Sequence, residues 1–260
     1  MSQTLITTTV TIYLIIYLII ILDKPMIYGI VVIIKTTKLY YFKTRRYKMQ
    51  LHEQYRPAKW ADVIGQDKAI AQINKLRARG FGGRAYWISG QSGTGKTTIA
   101  LLLAQEIADK FNITEIDASD FTPAQLRTTE ENMQTYGWMS KGKAYIINEA
   151  HGLRKDAIRQ LLVLLERLPS HVVIIFTTTS EGEDKLFEDQ IDAHPLLSRC
   201  QEITLARRDL AAPFAARAKA IAQAEGLDGL PDGEYLKLAR EHKNNMRSML
   251  QAIEAGAMNK

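Results

Sequence analysis

Gly90-Gln91-Ser92-Gly93-Thr94-Gly95-Lys96-Thr97 satisfies the pattern G-x-x-x-x-G-K-[ST] without a mismatch, and each position has a chemical reason. The three glycines let the backbone turn tightly and aim its N–H groups inward at phosphate oxygens. Lys96 supplies a point charge between the β- and γ-phosphates of a nucleotide, and the Thr97 hydroxyl is placed to ligate Mg²⁺. Thr98 completes the set expected to contact the nucleotide. A helix opening near Lys96 adds the positive end of its dipole to the anion site.

Hydrolysis on such a loop needs an acidic residue at a neighbouring strand end to orient the metal, and a base to position the attacking water. Tyr145-Ile146-Ile147-Asn148-Glu149-Ala150-His151 is the candidate. Glu149 stands where the general base belongs. Asn148 stands where an aspartate is expected, so it offers an oxygen to a metal-bound water but no charge. The expectation is retained nucleotide binding with weaker Mg²⁺ organisation and slower turnover. His151 reads as a contact supporting the site rather than a metal ligand, because no second His or Cys stands at zinc spacing.

Alternating strand and helix signals over residues 66–205 supply the frame for these groups, and they argue for helices around a mainly parallel sheet. Strands are expected at 85–89, 113–117, 144–148 and 172–177, with 203–205 as a further edge strand. Helices are expected at 66–79, 96–110 and 153–168, and one opens at Thr122-Pro123 with proline at its first position. After Arg207 the strand signals stop. Residues 208–223, 232–241 and 244–257 carry helical periodicity. The expected organisation is an α/β nucleotide-binding domain over 49–206 and a small all-helical domain over 207–260.

The first 48 residues are of another kind. They contain no Ala and no Glu, and their five Lys and two Arg against one Asp account for the whole net charge of +6. The basic balance therefore gives no sign of nucleic-acid binding by the rest of the chain. Two apolar runs, 10–22 and 26–34, are each short of the roughly 20 residues that span a bilayer. Three readings stand: translation from an upstream start with Met49 as initiator, a membrane anchor, or a partner-binding or disordered extension. A membrane partner is expected only if this leader belongs to the native chain. A single cysteine, Cys200, excludes an internal disulfide and fits a reducing, cytoplasmic setting.

Short motifs in order carry a family resemblance. Tyr55-Arg56-Pro57 followed by Val63-Ile64-Gly65-Gln66 resembles the entry segment of AAA+ clamp-loader ATPases. Residues 165–172, Leu-Glu-Arg-Leu-Pro-Ser-His-Val, are similar to the passage after their second phosphate-side motif. Ser198-Arg199-Cys200 matches their arginine-finger signature. The resemblance spans about 51–257. It implies that Tyr55, Arg56, Val63 and Ile64 line the adenine side of an ATP site. It implies that Thr178, with a possible slip of one residue along 177–179, senses the γ-phosphate and the attacking water. Arg247 would reach the γ-phosphate from the helical lid, and Arg199 would act on ATP held by a neighbouring subunit. A planar, permanently charged guanidinium suits that last task.

The partners implied are other AAA+ subunits, a sliding clamp, and primer–template DNA held through its phosphates, with Arg154, Lys155 and Arg159 as candidate contacts. Trp60, Trp87 and Trp138 read as packing anchors rather than base-stacking platforms. Such subunits normally continue into a helical collar, whereas this sequence ends just past the lid. The functions in contention are an ATP-hydrolysing clamp-loader subunit, a nucleotide-gated assembly module with little hydrolysis, and another AAA+ DNA machine such as a branch-migration motor or helicase loader.

Overall fold

The computed structural model describes residues 49–136, 142–189 and 193–259. The expectations for the leader and for Trp138 lie outside the described residues. Contacts divide the chain into residues 1–49 and 50–260, and the second unit holds everything that follows.

Five strands form one sheet: β1 (Arg84–Ser89), β2 (Ile113–Asp117), β3 (Lys143–Asn148), β4 (Val172–Thr178) and β5 (Cys200–Thr204). Their order is β2-β3-β4-β1-β5 and every pairing is parallel. A parallel sheet requires crossover connections and is covered on both faces, so its inner strands read as continuous apolar runs. Val172-Val-Ile-Ile-Phe-Thr-Thr178 is buried at all seven positions because it lies between β3 and β1.

Alternate side chains divide the core between the faces. Ala85 and Trp87 join one cluster with Ile147, Ile174 and Phe176, while Tyr86 and Ile88 join another with Ile146, Val173 and Ile175. The first face is covered by α4 (Pro123–Met133), α5 (Lys155–Glu166), α6 (Ser180–Asp189) and α7 (Ala193–Ser198), through Leu126, Ile158, Leu161, Leu186 and Leu196. The second is covered by α2 (Asp67–Arg77) and α3 (Lys96–Gln105), through Ile73, Ile99 and Leu103. Each fully buried aliphatic side chain contributes about 1.5–3 kcal/mol relative to exposure. Trp87 lies 5.4 Å from Phe176, ring to ring, and its indole N–H donates to Glu183 at 2.8 Å. It is thus a core anchor. Trp60 is a half-buried anchor, donating to Glu106 at 2.6 Å with the Arg77 guanidinium over its ring.

The third cluster is helical. Helices α8 (Ala211–Glu225), α9 (Asp232–Glu241) and α10 (Met246–Glu254) pool Phe214, Ile221, Leu238, Leu250 and Ile253. Leu51, from the short α1 (Leu51–Gln54), is buried in the same cluster, and Tyr55 and Ile64 pack against it. The entry segment is therefore held by the helical part as well as by the sheet part.

Several element ends differ from the sequence expectation. The helix expected to run to residue 110 stops at Gln105, and a short 3₁₀ turn follows at Lys110–Asn112. Helix α5 starts at Lys155 because Arg154 is extended (φ −81°, ψ 154°). The edge strand begins at Cys200 rather than Ile203, pairing Ala85 with Cys200. Helices α6 and α7 carry no expectation from sequence. Thr122 does cap α4 as expected, accepting the Gln125 N–H at 3.3 Å.

Candidate nucleotide-binding site

The loop from Gly90 to Gly95 runs from the carboxyl end of β1 to the first turn of α3, the edge at which open parallel sheets take their ligands. Gly93 (φ 78°) and Gly95 (φ 97°) adopt the left-handed region that other residues enter only at a cost. A Cβ on Gly93 would stand 2.0 Å from Asn245 Oδ1, so the loop and the lid meet at a point where only glycine fits. Asn245 itself caps α10, its Oδ1 accepting the Ser248 N–H at 3.2 Å.

Lys96 is buried at the start of α3. Its ammonium donates to Gly90 O at 3.0 Å and Gln91 O at 3.2 Å. Burial pulls its pKa down, the Glu149 carboxylate pushes back, and Arg247 adds to the lowering. The cation is thus held ready by loop carbonyls, with one acid and one base of the site within electrostatic reach.

A cavity of about 170 Å³ opens here. Of the residues expected to contact nucleotide, Tyr55, Arg56, Val63, Ile64, Ser92, Gly93, Thr94, Gly95, Lys96, Thr97 and Thr98 line it, as do Glu149 and Arg247. Glu149 follows β3 with φ 52°, a conformation rare for a non-glycine residue and typical of sites that over-determine their backbone. Its carboxylate is half exposed, 3.5 Å from His151 Nδ1.

Five of the expected residues do not line this cavity. Gly90 and Gln91 form the stem of the loop and hold Lys96. Thr178 is fully buried, with its Oγ1 3.3 Å from His151 Nδ1. Along the adjoining threonines, Thr177 donates to Asn148 Oδ1 at 2.9 Å and Thr179 Oγ1 accepts the Gly182 N–H at 3.1 Å. Asn148 is committed within the sheet: that bond takes its carbonyl, and its amide donates to Glu115 at 3.3 Å. An aspartate could make neither the second bond nor a stable approach to that carboxylate, which explains why an amide is accommodated. Arg199 donates to Glu166 at 2.6 Å and to Pro195 O at 2.9 Å. It precedes β5, whereas the phosphate loop follows the parallel β1, so the two stand at opposite ends of the sheet.

Other lining residues carry no motif. His52, Asp62, Phe214, Arg217, Ile221, Met246 and Leu250 all border the cavity. The apolar ones belong to α8 and α10, whose periodicity marks them as helix-face residues without saying what the face meets. Arg207 is a further residue outside every motif. Its guanidinium donates to Gln91 Oε1 at 2.9 Å and also to Lys243 O and His242 O, joining loop to lid. Gln66 ties the same region together through Thr94 O at 3.3 Å, Ala206 O at 2.8 Å and the Ala206 N–H at 3.0 Å. Among the described residues no cluster of three or more metal-ligating side chains occurs, and no helix is long and apolar enough to cross a membrane.

A parallel sheet with this loop between β1 and α3 defines a P-loop nucleotide-binding protein. Comparison with known proteins carries the assignment further. The family described as "ATPase family associated with various cellular activities (AAA)" matches residues 86–208, from β1 through β5. In sequence the chain is 30% identical over 173 residues to DNA polymerase III subunit gamma/tau of Mycoplasma pneumoniae, covering 58% of this chain and 24% of that protein. It is 29% identical over 183 residues to subunit tau of Escherichia coli K12, covering 62% and 27%. It is 30% identical over 152 residues to subunit gamma of Buchnera aphidicola, covering 50% and 42%. The chain thus spans between a quarter and two-fifths of the length of these curated relatives. In fold it resembles the RuvB Holliday junction branch migration motor of Thermotoga maritima, with a TM-score of 0.57 at 19% identity over 77% of this chain and 64% of that one. Residues 86–208 thus match the AAA family, and the chain is similar in sequence to gamma and tau subunits of DNA polymerase III.

Proposed function

We propose that this chain is an ATP-binding, ATP-hydrolysing AAA+ subunit that acts in DNA replication as part of a sliding-clamp loader. One observation supports this above the others: the phosphate loop, Glu149, the entry segment at Tyr55–Ile64 and Arg247 of the lid border a single cavity. Its glycines and inward amides suit a triphosphate, and its apolar lid residues suit a base.

The proposed division of labour is supported by which residues border the cavity. The loop amides and Lys96 hold phosphate oxygens, for which Lys96 exchanges its bonds to Gly90 and Gln91. Thr97 would hold Mg²⁺, which when bound would supply positive charge beside the phosphates, and Asn148 would join it through its carbonyl oxygen, which also accepts from Thr177. Glu149 accepts a proton from the attacking water. Arg247 brings a positive charge from the lid, and Thr178 supports Glu149 through His151. Arg199 cannot serve its own loop from the far end of the sheet, so its guanidinium is available to a neighbouring subunit once Glu166 releases it. Exposed Arg154, Lys155 and Arg159 on the first turns of α5 offer contacts to DNA phosphates.

Hydrolysis should rise when primer–template DNA and the cognate clamp are both added, and Arg199→Ala should lose that turnover while still binding ATP. Equal turnover by Arg199→Ala would remove the trans role. A second reading is favoured by the engagement of Asn148 with Thr177 and Glu115: a nucleotide-gated assembly module in which ATP joins subunits and is hydrolysed slowly. Brisk DNA-stimulated turnover would count against it.

A further inference from the structure

Arg217 belongs to no motif, yet it borders the same cavity as the phosphate loop and the entry segment. It lies on α8 three residues after Phe214 and four before Ile221, spacings that put all three on one helix face, and all three line the cavity. Phe214 and Ile221 are buried, whereas Arg217 keeps part of its surface open. An arginine lays its stem along apolar neighbours and leaves its charged head accessible, so the guanidinium is within reach of a ligand entering the cavity. Among the described residues it donates no hydrogen bond and forms no ion pair, unlike Lys96, which already has two carbonyls.

The two lid arginines sort to different ends of that space. Burial lowers the Lys96 pKa and Arg247 adds to the lowering, which sets Arg247 beside the phosphate loop. The bond to Glu225 raises the Tyr55 pKa and the charge of Arg217 opposes it, which sets Arg217 beside the entry segment. Tyr55 does not satisfy Arg217, because its hydroxyl is committed to Glu225 at 2.9 Å. A guanidinium has five donors and no acceptor, so the group that meets it must present lone pairs. Beyond its phosphates a nucleotide presents two such sets, the ring nitrogens of the base and the oxygens of the ribose.

We infer that Arg217 is a binding residue for the nucleoside part of the nucleotide, donating a hydrogen bond to a lone pair of the base or the ribose. The inference rests on the proposed ATP site and adds the group by which the lid holds the nucleoside, apart from the phosphates held at Lys96. Phe214 and Ile221 hold a base by contact area alone, which has no direction. A charged donor beside them fixes where the nucleoside sits. Because Arg217 is on α8 and Lys96 opens α3, one bound nucleotide then joins the lid to the sheet through a cation at each end.

The test uses the full chain and equilibrium titration with three ligands: inorganic tripolyphosphate, ribose 5-triphosphate and ATP. Arg217→Met keeps the stem over Phe214 and Ile221 and a helix propensity close to that of arginine, so α8 should fold. It should weaken ATP about 10-fold, the low end for a hydrogen bond to a charged group, and leave tripolyphosphate binding unchanged. Retained tripolyphosphate binding also shows that the variant is folded, and Arg217→Ala should give the same pattern. A loss that already appears with ribose 5-triphosphate places the acceptor on the ribose; a loss that appears only with ATP places it on the base. ATP affinity equal to the parent's overturns the inference, and so does an equal loss for ATP and tripolyphosphate. Lys96→Ala separates this from the underlying reading: all three ligands should weaken together, and tripolyphosphate binding that survives would refute the phosphate site rather than the role of Arg217.

Discussion

Asn148 illustrates how far residue chemistry can be taken from a motif. Its position after Ile147 and before Glu149 identifies the missing charge, but its consequence depends on Glu115, two residues before the end of the neighbouring strand. Because Asn148 Nδ2 donates to Glu115, Asn148→Asp would bring two carboxylates together, and like charges that close raise a pKa and cost stability. Asn148→Asp alone should therefore lose about 1 kcal/mol near neutral pH, with the loss largely recovered in Asn148→Asp/Glu115→Gln, measured by urea denaturation. Turnover should rise several-fold in the double variant. No gain there would mean that metal organisation does not limit the rate. Glu183 makes a second residue-scale case. Burial raises its carboxyl pKa, against the lowering by hydrogen bonds from Trp87 and Ser89. A raised acid pKa means the folded chain holds the proton longer than the unfolded chain. Stability therefore falls as pH rises from the usual glutamate range through the raised value, and the cost persists above it. Glu183→Gln should be more stable than the parent at pH 7, with the difference narrowing as pH falls through the usual glutamate range. An unchanged difference across that range would contradict the assignment.

Elements were legible where a single period dominates. The inner strands stand out because both their faces are buried, and α9 runs over the expected residues 232–241 because Pro231, the acidic first turn and the apolar face mark the same span. Helices α6 and α7 were not legible: 180–189 is strongly acidic, and its burial rests on Leu186 and on contact with the turn after β3. The phosphate loop could be read because its chemistry dictates its residues. Arg207 could not, because an arginine after an edge strand has no partner until the lid folds back beside Gln91. This small element-scale joint is testable. Arg207→Ala removes bonds to Gln91, His242 and Lys243, and it should lower stability by about 1 kcal/mol and weaken ATP binding several-fold as the lid loses its tie to the loop. Thermal denaturation with and without ATP checks both. A variant with lowered stability and unchanged ATP affinity would reduce Arg207 to a structural bond.

At the scale of the molecule, the sheet separates two tasks. Its carboxyl edge carries the cavity bordered by the phosphate loop, and its opposite edge carries Arg199, the separation that the proposed action of Arg199 on a neighbouring subunit requires. The lid joins the two halves of the cavity, since Leu51 and Tyr55 of the entry segment pack with α8 and α10 while Val63 packs with the sheet. Everything proposed for assembly, clamp and DNA depends first on the nucleotide entering this cavity through Lys96. The most direct measurement is therefore equilibrium titration of ATP into the purified chain and into Lys96→Ala, with circular dichroism to confirm that both are folded. Saturable binding by the parent, weakened at least about 10-fold in Lys96→Ala, is the predicted result. Absence of binding by the folded parent, or equal affinity in Lys96→Ala, would contradict it.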